Sequence, residues 1–235
     1  MAKHKGTPHA RVRPVFDGDS TQDRLLATAL KLFAARGIKD VSLRAISAES
    51  GSRNTRACQY HFENKLGLMS NLLRHIHERI WQPSEKRLQE AISTEATLRE
   101  ILVRGVWPIK MSPYEFDAGA EATILLLYCA YDPDPAIRAL GTKCTEPHLT
   151  TFFAATRSRL TDLPDHVFNA RWAIFLTEAL AGQAARIQQF QISNKLSELP
   201  SWTEHAEYVS TLLDFAEGGL RAEVSPIDQS LFPVV

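Results

Sequence analysis

The chain has 235 residues, 44% hydrophobic and 23% charged, an ordinary balance for a globular protein with a sizeable core. Its three cysteines, Cys58, Cys129 and Cys144, have no metal-ligand spacing, and their odd number fits a reducing compartment. The longest apolar run, residues 122–131, is too short to span a bilayer, and the opening segment lacks the apolar core of a secretory signal; a cytoplasmic protein with no membrane partner is expected. The net charge of zero hides a split. Residues 1–81 carry fourteen Lys/Arg and seven Asp/Glu, the remainder thirteen and twenty. A basic first third on an acidic body suggests a head that binds a polyanion.

Residues 1–19 are polar, with Pro8, Pro14 and Gly18, and read as a flexible basic arm. A helix starts near Ser20 or Thr21, either of which can cap it, and Leu25, Leu26, Ala29, Leu32 and Phe33 recur at helical spacing. Gly37 ends it as a left-handed residue would. Ser42 can cap a short second helix, with Leu43 and Ile46 inward; Gly51 ends that one and Ser52 begins a third. A longer helical pattern runs from about Lys65 to Trp81 on a stripe of Leu66, Met69, Leu72, Leu73, Ile76 and Ile80, and Pro83 bends or interrupts it. Further helices fit 94–106, 115–131, 134–160, 165–192 and 203–220, with Pro108, Pro113, Pro133, Pro164 and Pro200 near their boundaries. Pro147 should kink or split its segment. No alternating pattern long enough for a strand is present, so the expected fold class is all-α.

Two short helices joined at a glycine turn, the second of them polar, form a helix-turn-helix. The outer face of the second helix must meet a DNA groove, which favours donors and acceptors over apolar groups. Arg53, Asn54, Thr55, Arg56 and Gln59 supply them, while Ala57 and Cys58 should face the inner helices. Tyr60, His61 and Phe62 would pin the helix end to the core, their polar tips still within reach of phosphate. Ser42, Arg44 and Lys65 join Tyr60 and His61 as expected phosphate contacts.

The stretch "DRLLATALKLFAARGIKDVSLRAISAESG" followed by "YHFENKLGLMSNLL" resembles the TetR family of bacterial transcriptional regulators. The family's leading aliphatic pair, Ala, Leu-Phe, Gly, Ser, Ile, helix-ending Gly, aromatic-Phe close and Lys all stand in order across residues 21–73. The likeness is to a variant whose recognition helix reads "RN…A…QYHF". Ten residues separate Gly51 from Phe62, where the common pattern has nine. The position three before the Phe, usually a phosphate-contacting tyrosine, is Gln59, with Tyr60 next to it. The extra residue should lengthen the turn or the start of the recognition helix.

The resemblance implies a homodimer on a double-stranded DNA operator, with a C-terminal body that binds a small effector. The expected organisation is an arm (1–19), a helix-turn-helix domain (20–64), an effector and dimerisation domain (65–220) and a tail (221–235). Trp107, Met111, Tyr114, Phe116, Tyr128, Phe152, Trp172 and Phe175 are large groups in the middle helices, and Glu121 and Arg157 could orient a polar end. With so few charges there, the effector is expected to be apolar or amphipathic. Of the six cations between 107 and 175 (Lys110, Arg138, Lys143, Arg157, Arg159 and Arg171) most should face solvent. The segments 165–192 and 203–220 should form a four-helix dimer interface, helped by the small residues Ala173, Thr177, Ala181 and Ala184. No nucleophile constellation, phosphate-binding glycine loop or metal cluster stands out, so no catalytic residue, cofactor or metal is expected. The reading is a ligand-responsive regulator, a repressor by default. The alternative is a helical ligand-binding protein or enzyme with no operator recognition.

Overall fold

The computed structural model describes residues 12–16, 18, 20–192 and 201–225. Among these the chain is all-α, with one isolated parallel bridge between Arg13 and Phe116. Helix α1 (Thr21–Arg36) begins where the Ser20 hydroxyl accepts from the Asp23 N–H, and ends at Gly37, whose φ of 82° suits glycine. Helix α2 (Leu43–Glu49) is capped in the same way by Ser42, which accepts from Ala45 N–H. Gly51, at φ 73°, then turns the chain, and α3 (Ala57–Phe62) follows. Asn64 caps α4 (Lys65–Ile76) by accepting from Gly67 N–H.

Pro83 does not break the long helix. A single π turn, His77–Trp81, precedes it, and Gln82 N–H reaches back five residues to His77 C=O. The wider turn takes in a residue that has no N–H, so the helix runs on as α5 (Gln82–Ser93), a continuation not evident in the sequence. Helix α6 (Leu98–Lys110) opens with a Thr97–Glu100 capping box and contains Pro108 rather than ending at it. The helix expected over 115–131 begins at Gly119, as α8 (Gly119–Tyr131), after a separate helical turn, α7 (Ser112–Glu115). Helix α9 (Pro135–Arg157) runs through Pro147 as one helix, so of the expected kink or split the split does not occur. Helix α10 (Asp165–Thr177) passes through a second π turn, Glu178–Gly182, into α11 (Gln183–Ile192), and α12 (Trp202–Arg221) closes the fold behind a Ser201–Glu204 capping box.

One buried core extends from Val15 and Leu25 in the head to Leu213 and Leu220 in the body. Within it the Phe152 ring of α9 packs on Trp172 and Phe175 of α10 and against α6. There a Cβ on Gly105 would stand 2.1 Å from the Phe152 ring, so only glycine admits that ring. The head is also seated directly on the body, since Ala34 of α1 packs with Ala120 and Ile124 of α8 and Ile187 of α11. The segment before α1 departs from the flexible arm expected over 1–19. Arg13 N–H donates to Glu115 C=O at 2.8 Å, Asp117 N–H donates to Arg13 C=O at 3.1 Å, and Val15 N–H donates to the Asp117 carboxylate at 3.1 Å. Val15 is fully buried, and the Arg13 guanidinium pairs with Glu115 while lying 4.7 Å over the Phe116 ring. Residues 12–16 thus strap the head to the α7–α8 loop. The rest of the expected arm (1–11, 17 and 19) and the expected tail beyond 225 lie outside the described residues.

Candidate nucleic-acid interface

Helix α3 is only six residues long, and its placement depends on one buried hydroxyl. Ser47 of α2 donates to Leu43 C=O at 3.0 Å and accepts from Cys58 N–H at 2.9 Å, which fixes α3 against α2. Ala57, Cys58 and Phe62 are buried, and burial pushes the Cys58 thiol up to about 11, as befits a core residue. That spacing leaves Gln59, Tyr60 and His61 outward.

Residues 52–56 form turns rather than the first turn of the helix. The Ser52 hydroxyl accepts from Asn54 N–H, and the Asn54 side chain accepts from Arg56 N–H at 2.9 Å. Such short-range side-chain bonds compete with helical ones, which moves the helix start from the expected Ser52 to Ala57 and places the long Gly51–Phe62 spacing in the turn. Arg53, Asn54, Thr55 and Arg56 are all exposed on this turn. Arg44, Thr55, Arg56 and Gln59, with Leu43, line one concavity of about 310 Å³ on the outer surface of the head.

Other candidates are placed differently from the sequence reading. Tyr60 is 82% exposed and His61 is exposed beside it, their rings edge to face at 5.2 Å. Phe62 alone pins the helix end, because only it lies one helical turn after Cys58. The Lys65 ammonium donates to Ile38 C=O at 2.9 Å and Lys39 C=O at 3.4 Å, so it braces the α1–α2 turn. Ser42 is exposed, and its hydroxyl is occupied as the α2 cap, accepting from Ala45 N–H.

The ten residues expected around an effector do not converge on one cavity. Phe152, Trp172 and Phe175 pack on each other at 4.7, 5.8 and 6.1 Å between centroids and fill their own space. Trp107 donates to the Glu115 carboxylate, Phe116 lies under Arg13, and Tyr128 accepts from Gln188. Arg157 caps the end of α9 through Leu160 and Leu163 C=O and Asp165. Met111 is buried at the end of α6, and Glu121 is half-buried with its carboxyl raised by burial. A groove of about 410 Å³ between α4 and α9, bordered by Leu73, Arg74, His77, Leu140, Lys143 and Pro147, contains none of the ten.

Tyr114 belongs to a cluster that sequence reasoning missed. Its ring stacks on His205 at 4.3 Å and meets Trp202 edge to face at 5.8 Å. Below it Lys110 is fully buried, contrary to the solvent-facing position expected of most cations in this region, and its ammonium has no hydrogen-bond partner. It lies 5.3 Å from the centroid of Tyr208, and the Arg186 guanidinium lies 3.9 Å from the same centroid. Burial lowers the Lys110 ammonium to about 8. The signal was available: Leu102, Val106 and Lys110 are four residues apart on the buried stripe of α6.

The described residues thus define a helix-turn-helix head, with an arginine-rich outer face, seated on a helical body. No family model matches the chain. Over 83 residues it is 32% identical to "Probable HTH-type transcriptional regulator YttP" of Bacillus subtilis (strain 168). That stretch covers 35% of this chain and 39% of the relative, so the chain spans about two fifths of that protein's length. A solved structure from Shewanella sp. PV-4, described as a candidate TetR-family transcription regulator, superposes with a TM-score of 0.51 at 14% identity, over 83% of this chain and 97% of that one. At that identity the likeness is one of fold.

Proposed function

We propose that this chain is a DNA-binding transcriptional regulator of the TetR type, a homodimeric repressor that leaves its operator when a small ligand binds the body. The observation that carries the reading is the exposed Arg44–Thr55–Arg56–Gln59 face on a head fixed internally by Ser47. Guanidinium and amide groups on a rigid element suit base edges and phosphates. In a dimer, two such faces would enter successive major grooves about 34–36 Å apart. The dimer itself is supported by an apolar surface on α10 and α12, where Ile174 is 67% and Phe215 is 75% exposed beside a groove formed with Phe175, Leu212, Ala216 and Leu220. Ala173 and Thr177 are exposed on the same helix, whereas Ala184 is buried, so only the first part of the small-residue stripe is available to a partner.

The test is selection of bound duplexes from random DNA, followed by titration of the selected site over a range of salt. Arg56→Ala should lose about 1–3 kcal/mol and relax preference at one base pair; Arg44→Ala should weaken all duplexes alike and reduce the salt slope by about one unit. Lys65→Ala should act chiefly on the stability of the head, because two carbonyls lose their donor. If no sequence is enriched and binding does not depend on salt, the reading is wrong.

A further inference from the structure

A lysine ammonium that is fully buried with no hydrogen-bond partner is a costly arrangement, and native proteins seldom keep one without a use. Lys110 is held firmly in that position. It is the last residue of α6, and its carbonyl accepts from His205 Nε2 at 2.7 Å. Among the described residues, Glu178 of the second π turn and Arg186 of α11 act on its charge, the Tyr208 ring of α12 lies beside its ammonium, and Tyr114 of α7 stacks on His205. His205 is kept neutral by the same burial. Glu178, among the described residues the one acid whose field reaches the amine, makes no bond to it, and its carboxylate lies against the π-turn backbone, 2.2 Å from where a Cβ on Gly182 would stand. Two cations therefore flank the Tyr208 ring, with one carboxylate turned away from Lys110.

We propose that this junction of α6, α11 and α12 binds a small organic monocarboxylate, one oxygen accepting from Lys110 Nζ and the apolar or aromatic body lying against Tyr114, Trp202 and Tyr208. The charge count favours one negative charge, because Lys110 and Arg186 are already opposed by Glu178, and a second charge would have to be desolvated with no partner. The rings favour an apolar body over a sugar or polyphosphate. Tyr208 is half-buried and Trp202 is 48% exposed, so the Tyr208 ring can turn outward and give its place over the amine to the carboxylate. The assignment rests on the regulator reading only in calling this ligand an effector.

The experiment uses the full chain without DNA. Benzoate, phenylacetate and octanoate are each titrated against their primary amides, with binding followed by calorimetry and by tryptophan fluorescence. The acids should bind, and each amide should bind about 10–100-fold more weakly, the loss of one charge-assisted hydrogen bond. Lys110→Met keeps the bulk of the side chain, so it should fold, as verified by thermal melting, and bind acid and amide alike. The proposal is overturned if acids and amides bind wild type equally, if Lys110→Met binds acids as wild type does, or if no acid binds at millimolar concentration. A chain that binds acids but no duplex DNA would keep this site and lose the regulator reading.

Discussion

Ser47 is a small residue with two structural bonds, and both are lost together in Ser47→Ala. Cys58 N–H would then be buried without an acceptor, at a cost of about 1–3 kcal/mol, and α3 would lose its anchor to α2. Melting should reveal the stability loss, and operator titration should reveal weaker binding even though no DNA-facing side chain has changed. Lys110 predicts the opposite sign. Replacing an unpartnered buried amine by Met should raise stability at pH 7 by about 1–3 kcal/mol, read as a shift in the denaturant midpoint. His205 sets the acid limit. Burial lowers it to about 4 and also lowers His148, whereas in the unfolded chain a histidine titrates near 6.5. Between about pH 6.5 and 4 the unfolded chain takes up protons that the folded chain refuses, so stability should fall as pH falls through that window. In His205→Gln, whose amide can still donate to Lys110 C=O, the fall should be shallower in urea titrations across the window.

Helix ends were legible in the sequence wherever the deciding bond is local. Ser20, Ser42, Gly37 and Gly51 act as the text suggests, because a cap bond spans three residues and a left-handed φ belongs to one. The start of α3 was misplaced for a related reason: Ser52 and Asn54 use equally local bonds to hold a turn. Prolines misled more. Pro83, Pro108 and Pro147 all sit within or beside continuous helix, and what allows this, a π turn in the first case, depends on packing that the sequence does not display. Packing also decided the effector candidates, since aromatic residues at helical spacing look the same whether they fill a core or line a cavity. The α6–α9 contact can be tested directly. Gly105→Ala drives a methyl into the Phe152 ring and should cost about 1–3 kcal/mol. Adding Phe152→Leu should recover part of that loss, a non-additivity measurable by a double-mutant cycle in urea.

At the scale of the whole molecule, the surface bearing Ile174 and Phe215 should decide assembly. Ile174→Glu with Phe215→Glu should give a folded monomer with weak operator binding, as measured by analytical ultracentrifugation and DNA titration. A double variant that remains a tight dimer would place the interface elsewhere. The strap formed by residues 12–16 was invisible to sequence reasoning, because its partners lie 102 residues away along the chain. It also changes how the head can move. A head joined to its body through α4 alone could swing and twist about that single stem in any direction. Here the chain enters the head from a point fixed on the α7–α8 loop and leaves it through α4, and α1 packs on α8 and α11 between these two attachments. A body held at three places cannot swing about any one of them, so a shift of α4 or α8 should carry the head with it as a unit. Cutting the strap, for example with Val15→Asp, should release one of the three, and amide exchange in α1 should become faster while exchange in α9 stays as it was.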